Sequence, residues 1–447
     1  MAQRLAMYIV MSKPKRRSVK EGAVHCMVSL RWLAKRVITD LSQLSAATGP
    51  YCCNATSMPN QTTALTRPPL NTELGTGWHS PHFVITGRGA RMAYRDCGAR
   101  GGECWLVLHG GPGASCHPGL LAPLQLGRQR AVLPDQRGAG RSRPAARLAG
   151  NHTDQLVADL ETLRRHLGIE RWALLAGSWG TVVALRYAQV HPERVTRLVL
   201  RGAFALKRRE IFGLLRADAR RDRAVSGSPQ WPRAPYSGEA RVLARLEQVL
   251  QSRTPGVAAR HVVRCWNLLE QRSALRGLWR SLVHSAGAEN LPLGDPRQPA
   301  GAYRRAWAQL RRQQRLSLAG LRQPRTTRAD RSGWQKFRIQ GHYLRHKGFV
   351  RPGGLDSAAR SLAVRGIPSD WVHGRFDAVC PPANSRRWVA MQQALQSGLA
   401  RAHWPLAGHL ASEPGLRDML AKVVRHGRMW HLEPIPVGNN FCENAVN

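Results

Sequence analysis

The chain has little negative charge. Its 447 residues include 27 Asp and Glu against 68 Lys and Arg, which gives a formal net charge of +41 at pH 7. A large basic excess is typical of proteins that bind nucleic acids. Here, however, the arginines are spread along the whole chain and form no repeating pattern, so the charge marks no particular binding element. We therefore expect no nucleic-acid partner.

Long apolar runs and paired cysteines are also missing. No apolar run reaches the length that spans a bilayer, so we expect no membrane span. The nine cysteines are scattered and form no C-x-x-C pair, which argues against a zinc site and against a disulfide framework. Cysteine usage of this kind favours a reducing compartment, and we predict a cytoplasmic protein.

The hydrophobic residues that are present suffice for a large core, since they make up 43% of the chain. From His82 onward, short apolar strands alternate with amphipathic helical patterns. This alternation predicts an α/β fold with a mostly parallel, doubly wound sheet covered on both faces. Between residues 205 and 359 the alternation stops and helical patterns dominate, which indicates a helical cap inserted into the sheet domain.

The predicted organisation has four parts. Residues 1–78 contain a long stretch rich in Ser, Thr, Asn and Pro, and we expect a disordered N-terminal extension there. Residues 79–204 and 360–430 form the predicted α/β core, and residues 205–359 form the cap between them. Residues 431–447 remain as a C-terminal tail.

One turn in the core has the pattern of a nucleophile elbow. The stretch LLAGSWGTVVALRYA places Ser178 between an apolar strand and a helix. In the G-x-S-x-G elbow, a tight turn exposes the serine hydroxyl at the top of the sheet. Ala176 replaces the first glycine here. The alternative is an ordinary strand-to-helix turn in which the serine caps the helix, and the motif alone does not decide between the two.

A base and an acid follow in the order that such an elbow requires. A serine hydroxyl is a weak nucleophile and needs a histidine base that is oriented by a carboxylate. Asp377 and then His409 each follow a predicted strand, at the sheet edge where open α/β sheets place their sites. His373 and Asp370 are rival candidates. We expect His373 inside a strand and Asp370 before it, which disfavours both.

The glycine-rich stretch HGGPG supplies candidates for an oxyanion hole. Backbone N–H groups of Trp179, after the nucleophile, and of Gly111, in this loop, are placed to stabilise a tetrahedral intermediate. The alternative is a phosphate-binding loop, but the Lys and Ser/Thr of a P-loop are missing. We expect no metal and no organic cofactor.

Several stretches together resemble proline iminopeptidase, also called prolyl aminopeptidase, of the α/β-hydrolase fold. They are HGGPG, DQRGAGRS, LAGSWGTVVALRYAQVHPERV, LVLRGAF, VHGRFDAVCPP and AGHLASEP. The similarity covers residues 82–425 and implies a helical cap that selects the substrate. It also implies hydrolysis of an N-terminal residue, preferably proline, from peptides or amides. The resemblance carries the family's catalytic and oxyanion roles onto Ser178, Asp377, His409, Gly111 and Trp179.

The cap departs from the family pattern. The resemblance implies two cap carboxylates that hold the free amino group of the substrate. In FRIQGHYL the first acid is replaced by Gln340, and in AWAQLRR, the best match by spacing, the second is replaced by Arg311. The alternative match CWNLLEQ offers Glu270 for the second position. We therefore name Gln340 and Glu270 as candidate substrate-binding residues.

These observations together predict a serine hydrolase of the α/β-hydrolase fold with a small peptide, amide or ester substrate. Release of an N-terminal residue is the function that the resemblance favours. An esterase or amidase with a different acyl substrate is the alternative enzyme. A catalytically silent protein that binds polyanions through its basic surface is the alternative from another class.

Overall fold

The computed structural model describes residues 78–229, 231–232, 238–252, 254–287 and 299–426. They all belong to one compact unit, Leu70–Asn447. The predicted N-terminal extension, up to residue 77, and the predicted C-terminal tail lie outside the described residues.

Eight strands of the described residues form one sheet, in the order β1-β2-β4-β3-β5-β6-β7-β8. The strands are β1 (His82–Thr86), β2 (Ala90–Gly98), β3 (Glu103–Leu108), β4 (Gln129–Pro134), β5 (Trp172–Gly177), β6 (Val195–Arg201), β7 (Ser369–Val372) and β8 (Ala400–His403). Strand β2 pairs antiparallel with β1 and β4, and all other pairs are parallel. The predicted mostly parallel sheet is confirmed.

Helices cover the sheet and fill the long connection from β6 to β7. They are α1 (Thr153–His166), α2 (Trp179–Val190), α3 (Arg208–Leu215), α4 (Arg223–Ser226), α5 (Gly238–Leu250), α6 (Val257–Gly287), α7 (Pro299–Ala319), α8 (Arg328–Arg345), α9 (Gly354–Val364), α10 (Ala383–Leu395) and α11 (Pro414–His426). Within the described ranges, none of these helices combines the length and the apolar character needed to cross a bilayer.

The central strand β5 is apolar along its whole length because helices cover both faces of the sheet. All six residues of β5 are buried, from Trp172 to Gly177. Helix α1 shows the one-sided pattern of a covering helix, since Leu156, Leu160 and Leu163 are buried along one face. These contacts hold the sheet in place, and the loops at its carboxyl edge extend from it.

The last part of the predicted cap segment contacts the core. Helix α9 contains the predicted boundary at residue 359 and packs against α2 and α10. The Gln392 side-chain amide on α10 donates to the Ala359 carbonyl at 2.7 Å, and Gln189 on α2 donates to the Ser357 hydroxyl at 3.1 Å. The end of the predicted cap segment therefore packs with the core helices.

Two cap helices touch the loops at the carboxyl edge of the sheet. A Cβ added to Gly277 on α6 would lie only 2.9 Å from the Gly408 Cα. A Cβ added to Gly113, where φ is +79°, would lie 2.6 Å from the Lys336 carbonyl oxygen on α8. Glycine is required at both positions for this close approach. The approach places α6 and α8 directly over the loops that carry the candidate site.

Candidate active site

Ser178 occupies a strained turn between β5 and α2. Its backbone angles are φ 56° and ψ −124°, outside the regions that non-glycine residues favour, and such a conformation costs about 1–3 kcal/mol. The Ser178 N–H donates to the Arg201 carbonyl at 2.9 Å. The Ser178 side chain makes no capping hydrogen bond to α2. The geometry agrees with a nucleophile elbow and not with a simple N-cap.

Small residues around Ser178 let the strand and the helix pass close together. A Cβ added to Gly180 would lie 2.7 Å from the Leu108 carbonyl oxygen on β3. A Cβ added to Gly177 would overlap the Arg201 guanidinium. Ala176, at the first glycine position of the motif, is 2% exposed. This neighbourhood accepts a methyl group at residue 176, whereas a methyl group at Gly180 would clash with backbone and one at Gly177 would displace the end of the Arg201 side chain.

Asp377 and His409 form a buried pair at the carboxyl edge of the sheet. The His409 Nδ1 lies 2.7 Å from the Asp377 Oδ2. The other Asp377 oxygen accepts the backbone N–H groups of Val379 at 2.8 Å and Cys380 at 2.9 Å. Burial alone would raise the pKa of Asp377, but the neighbouring His409 and His373 hold it below its ordinary range. The carboxylate therefore stays charged and orients His409.

The two rival residues occupy different places. His373 follows β7 instead of lying inside it, and its Nε2 is 3.4 Å from the Asp377 Oδ2. Its ring is fully buried and lies 2.7 Å from the Ser385 hydroxyl. Asp370 lies inside β7, not before it as expected, and bonds to His403 at 2.9 Å. Neither lines the cavity that contains Ser178.

Gly202 makes room for the Asp377–His409 pair. It follows β6 with φ +55°. A Cβ at this residue would lie 3.1 Å from the Asp377 Oδ2 and 3.3 Å from the His409 Cε1. Glycine is therefore required at this position of LVLRGAF for two reasons: the backbone is left-handed, and the Asp377 and His409 side chains approach it closely.

The HGGPG loop lies against Ser178. A Cβ added to Gly110 would lie 3.4 Å from the Ser178 Cβ, and Gly111 has φ +121°. Gln136 joins this loop to α2: its side-chain amide donates to the His109 carbonyl at 2.9 Å and accepts from the Trp179 indole at 3.0 Å. The sequence analysis did not single out Gln136, although DQRGAGRS contains it.

A cavity of about 360 Å³ connects these loops with the cap. Ser178, His409 and Gly111 line its core side. Glu270 from α6 and Gln340 from α8 line its cap side. The structure thus brings all but two of the predicted site residues to one cavity. The exceptions are Asp377, which lies behind His409, and Trp179, whose N–H adjoins Ser178.

Known proteins resemble the chain over most of its described length. Residues 106–413 match the model of the α/β hydrolase fold family. A proline iminopeptidase of Xylella fastidiosa is 34% identical over 74% of this chain and 90% of its own length. The proline iminopeptidase of Xanthomonas citri is 30% identical over 74% of this chain and 91% of its own length. That of Arabidopsis thaliana is 30% identical over 73% of this chain and 73% of its own length. The chain belongs to the proline iminopeptidases of the α/β-hydrolase fold.

Membership in this family settles the class of the protein. It is an enzyme, a hydrolase of the prolyl aminopeptidase type, as the resemblance in the sequence predicts. The catalytically silent polyanion-binding protein, the alternative from another class, does not agree with this result.

In this iminopeptidase the cap side of the cavity holds one acid, one amide and one cation. The Gln340 Nε2 donates to the Glu270 Oε1 at 2.9 Å. The Lys336 ammonium forms an ion pair with the other Glu270 oxygen. The Gln340 Oε1 is buried and has no hydrogen-bond partner. Glu270, the carboxylate that could bind a cationic substrate, is therefore already paired with Lys336.

Arg311 lies elsewhere in the iminopeptidase cap. It sits on α7, where its guanidinium donates to Gln314 at 2.8 Å and lies 5.7 Å from the centroid of the Trp307 ring. It lines a second cavity and not the one that contains Ser178. The alternative match, Glu270, is the one that reaches the Ser178 cavity. The spacing from Gln340 misleads because Glu270 reaches the site from α6, a 31-residue helix that lies earlier in the chain than Arg311.

Glu413 is a buried carboxyl that the sequence analysis missed. Its two oxygens accept the backbone N–H groups of Gly408 at 2.5 Å and Leu410 at 2.9 Å, on either side of His409. Burial, and to a lesser degree the Asp377 charge, raise the pKa of Glu413 to about 7. Glu413 thus holds the backbone that carries His409. The signal available in the sequence was its position four residues after the histidine.

One group of side chains in the described part of the chain has the spacing of metal ligands. Ligand atoms of Glu247, His342 and His346 lie within 4.8 Å of one another. The Glu247 carboxylate is already paired with Arg345, and the His342 Nε2 lies 3.2 Å from the Asn151 carbonyl oxygen. None of these residues lines the Ser178 cavity. The group therefore has no part in the chemistry at Ser178.

Proposed function

We propose that this enzyme is a serine aminopeptidase that releases an N-terminal residue, with proline preferred, from short peptides. The observation that carries the proposal is that Ser178, His409 and Glu270 line one cavity. The cavity volume of about 360 Å³ suits a single small residue on the acyl side of the scissile bond. The names of the similar iminopeptidases support proline as that residue.

Ser178 is the proposed nucleophile and His409 the proposed base. The serine oxygen bonds to the substrate carbonyl carbon while its proton passes to the His409 Nε2. Collapse of the tetrahedral intermediate breaks the C–N bond, and the same proton leaves with the amine. Water then repeats the sequence on the acyl-enzyme. Asp377, bonded to His409 at 2.7 Å, fixes the tautomer and stabilises the imidazolium.

Two backbone N–H groups are proposed to stabilise the oxyanion. One belongs to Trp179, directly after Ser178 at the start of α2. The other belongs to Gly111 in the loop against Ser178. A single oxyanion donor is worth about 10²–10³ in kcat in enzymes of this chemistry. Gln136 supports both, because it bonds to the Trp179 indole and to the HGGPG loop.

Glu270 is the proposed partner of the substrate's ammonium group. Its carboxylate supplies the negative charge at the cap side of the cavity. The unpartnered Oε1 of Gln340 supplies a second acceptor. Together they offer the ammonium one charged and one neutral oxygen, a weaker arrangement than the two carboxylates that the family resemblance implies.

An esterase or amidase with a different acyl substrate is the second candidate. One observation favours it: the ion pair between Lys336 and Glu270 neutralises the acid that would attract a free amine. A neutral acyl group would meet no unpaired charge there. The leaving-group chemistry at Ser178 would be the same.

We also infer a cytoplasmic location. Five cysteines of the described residues are free thiols, namely Cys97, Cys104, Cys116, Cys265 and Cys380. Free buried thiols are the usual state of cysteines in a reducing compartment.

Turnover of a substrate panel tests the proposal. The panel contains proline arylamide, other aminoacyl arylamides, an N-blocked proline arylamide and simple neutral esters. We expect the free-amine proline substrate to have the highest kcat/KM. Ser178→Ala and Asp377→Asn should lower kcat by about 10⁴ or more, while Asp370→Asn serves as the matched control and should stay close to wild type.

The panel separates the two candidates. Preference for a neutral ester or the N-blocked amide over proline arylamide would favour the second candidate. Full activity of Ser178→Ala, or failure of a fluorophosphonate to label the folded wild-type protein, would contradict both. A crippled Asp370→Asn beside an active Asp377→Asn would contradict the assignment of the acid.

A further inference from the structure

A second cavity, of about 600 Å³, lies in the cap on the side of α6 away from Ser178. It shares no lining residue with the Ser178 cavity. Arginine dominates its wall, as Arg220, Arg221, Arg223, Arg272, Arg276 and Arg311. Asp222 is the one carboxylate among its lining residues, and it is already paired with Arg272. The wall therefore carries a large excess of positive charge.

Part of this positive charge has no counter-ion in the described part of the chain. The guanidinium groups of Arg220, Arg223 and Arg276 make no hydrogen bond and no ion pair with a described residue. The Asp218 carboxylate accepts the backbone N–H groups of Arg220 and Arg221 and attracts the Arg221 guanidinium. Burial lowers the pKa of Arg272, and the nearby Arg276 and Arg221 lower it further, while the Asp218 charge acts in the opposite direction. Like charges held this close repel each other, and an anion bound among them would relieve that repulsion.

The cavity also has an apolar, aromatic wall. The ring centroids of Trp279 and Trp307 lie 5.4 Å apart with the planes at 46°. Trp279 is 49% exposed and Leu318 is 43% exposed, which is unusual for large apolar side chains at one site. The Arg311 guanidinium lies beside the Trp307 ring, 5.7 Å from its centroid. A planar ring could stack on Trp279 while charged groups reach the arginines.

We propose that this cavity binds a small polyanion that carries a planar aromatic ring, of the nucleoside polyphosphate class. Phosphate oxygens pair with the free guanidinium groups, whose planar forks suit phosphate better than any other side chain does. The ring covers Trp279 and is held by the apolar wall. The volume of about 600 Å³ lies in the ordinary range for sites of this kind.

The site is independent of the reaction at Ser178, although one helix borders both cavities. Helix α6 presents Glu270 and Ala274 to the Ser178 cavity, and it presents Arg272, Arg276 and Trp279 to the second cavity. Binding can therefore be measured on protein whose serine has been blocked. A fluorophosphonate-modified sample separates the two cavities directly.

Calorimetric titration of the full chain with adenosine triphosphate at about 0.15 M salt, where non-specific attraction is screened, tests the proposal. Inorganic tripolyphosphate and adenosine are titrated in parallel. We expect the nucleotide to bind more tightly than tripolyphosphate and adenosine not to bind. Arg223→Gln/Arg276→Gln should weaken nucleotide binding at least about tenfold, because two charge-assisted contacts are lost. Trp279→Ala should weaken the binding of the nucleotide but not the binding of tripolyphosphate.

The matched control removes two exposed arginines outside the cavity. Arg365→Gln/Arg425→Gln makes the same change in net charge, and it should alter nucleotide affinity less than about twofold. Equal losses in the two double variants would show attraction by the net charge alone and would overturn the proposal. Absence of nucleotide binding to the wild type, or binding abolished by fluorophosphonate modification, would overturn it too. Tripolyphosphate binding as tightly as the nucleotide would overturn the aromatic part.

Discussion

The Gln340 side-chain amide donates to the Glu270 carboxylate at 2.9 Å, across two cap helices. A carboxylate can only accept, so the amide must turn its NH₂ toward Glu270 and its oxygen away. That oxygen is buried and has no partner, and an unpaired buried acceptor is costly. A donor N–H on the substrate would satisfy it. We therefore propose that the pair forms an amine subsite in which the amide of Gln340 orients the Glu270 carboxylate.

Glu270→Gln tests this subsite. We expect KM for proline arylamide to rise about 10–100-fold with a smaller change in kcat, since a charged hydrogen bond to the ammonium is worth roughly 1.5–3 kcal/mol. KM for a neutral ester should change little. Steady-state kinetics on both substrates measure the difference. The control is Glu193→Gln, an acid that is exposed and outside the cavity, and equal effects of Glu270→Gln on the two substrates would make Glu270 a structural residue.

Lys336→Met tests whether the lysine competes with the substrate amine. The Lys336 ammonium is paired with Glu270, and the two side chains are 25% and 26% exposed. Because such a partly exposed pair is worth about 1 kcal/mol or less, its loss should lower KM for proline arylamide by up to about fivefold. In the Glu270→Gln background the same change should have no effect. Lys422→Met, on the outer surface of α11, is the control, and a raised KM in Lys336→Met would contradict the competition.

The order of the elements could be predicted from the sequence because short strands alternate with amphipathic helices. Ser178, Asp377 and His409 could be named as candidates since each follows a strand, and parallel strands place their carboxyl ends at one edge of the sheet. This argument uses only the order of strands and loops and needs no knowledge of side-chain packing. The position of Asp370 was wrong by one or two residues, which is the usual uncertainty of a strand boundary.

The cap could not be predicted in the same detail. Which helix face meets the cavity depends on how long helices cross, and no periodicity in the sequence records that. Arg311 matched by spacing yet lies in another cavity, whereas Glu270 on α6 reaches the site. Gln136 was missed for a related reason, because its role depends on contacts to His109 and Trp179 that join two distant loops.

The pKa of Glu413 predicts how pH changes stability. The folded state raises this pKa from 4.5 to about 7, so between these values the folded protein binds more protons at Glu413 than the unfolded chain does. The contribution of Glu413 to the free energy of unfolding should therefore fall as pH rises from 4.5 to 7, by as much as about 3 kcal/mol. Thermal unfolding of wild type and Glu413→Gln from pH 5 to 8 measures it.

Comparison of the two proteins at each pH isolates the carboxyl. The glutamine does not titrate, so the Tm of the wild type minus that of Glu413→Gln should decrease as pH rises through this window. A difference that is constant, or that grows with pH, would contradict a raised pKa. Because Glu413 holds the backbone on both sides of His409, the variant should also lower kcat more than it changes KM.

Among the described cysteines, Cys380 is the one that lines the Ser178 cavity, and modification of its thiol should block the enzyme although the thiol is not the nucleophile. It lines the Ser178 cavity, whereas Cys116 does not, since Cys116 lies beneath the loop with its thiol 3.2 Å from the Pro134 carbonyl oxygen. Burial raises the pKa of both thiols well above the ordinary value, so neither is a ready thiolate at neutral pH.

A methanethiosulfonate should therefore inactivate the wild type slowly, and faster as pH rises, by adding bulk beside Ser178. Cys380→Ala should keep most of its activity and resist the reagent, and Cys116→Ala should be inactivated like the wild type. If Cys380→Ala folds but has lost turnover, the thiol takes part in the reaction and the assignment of Ser178 as sole nucleophile is wrong.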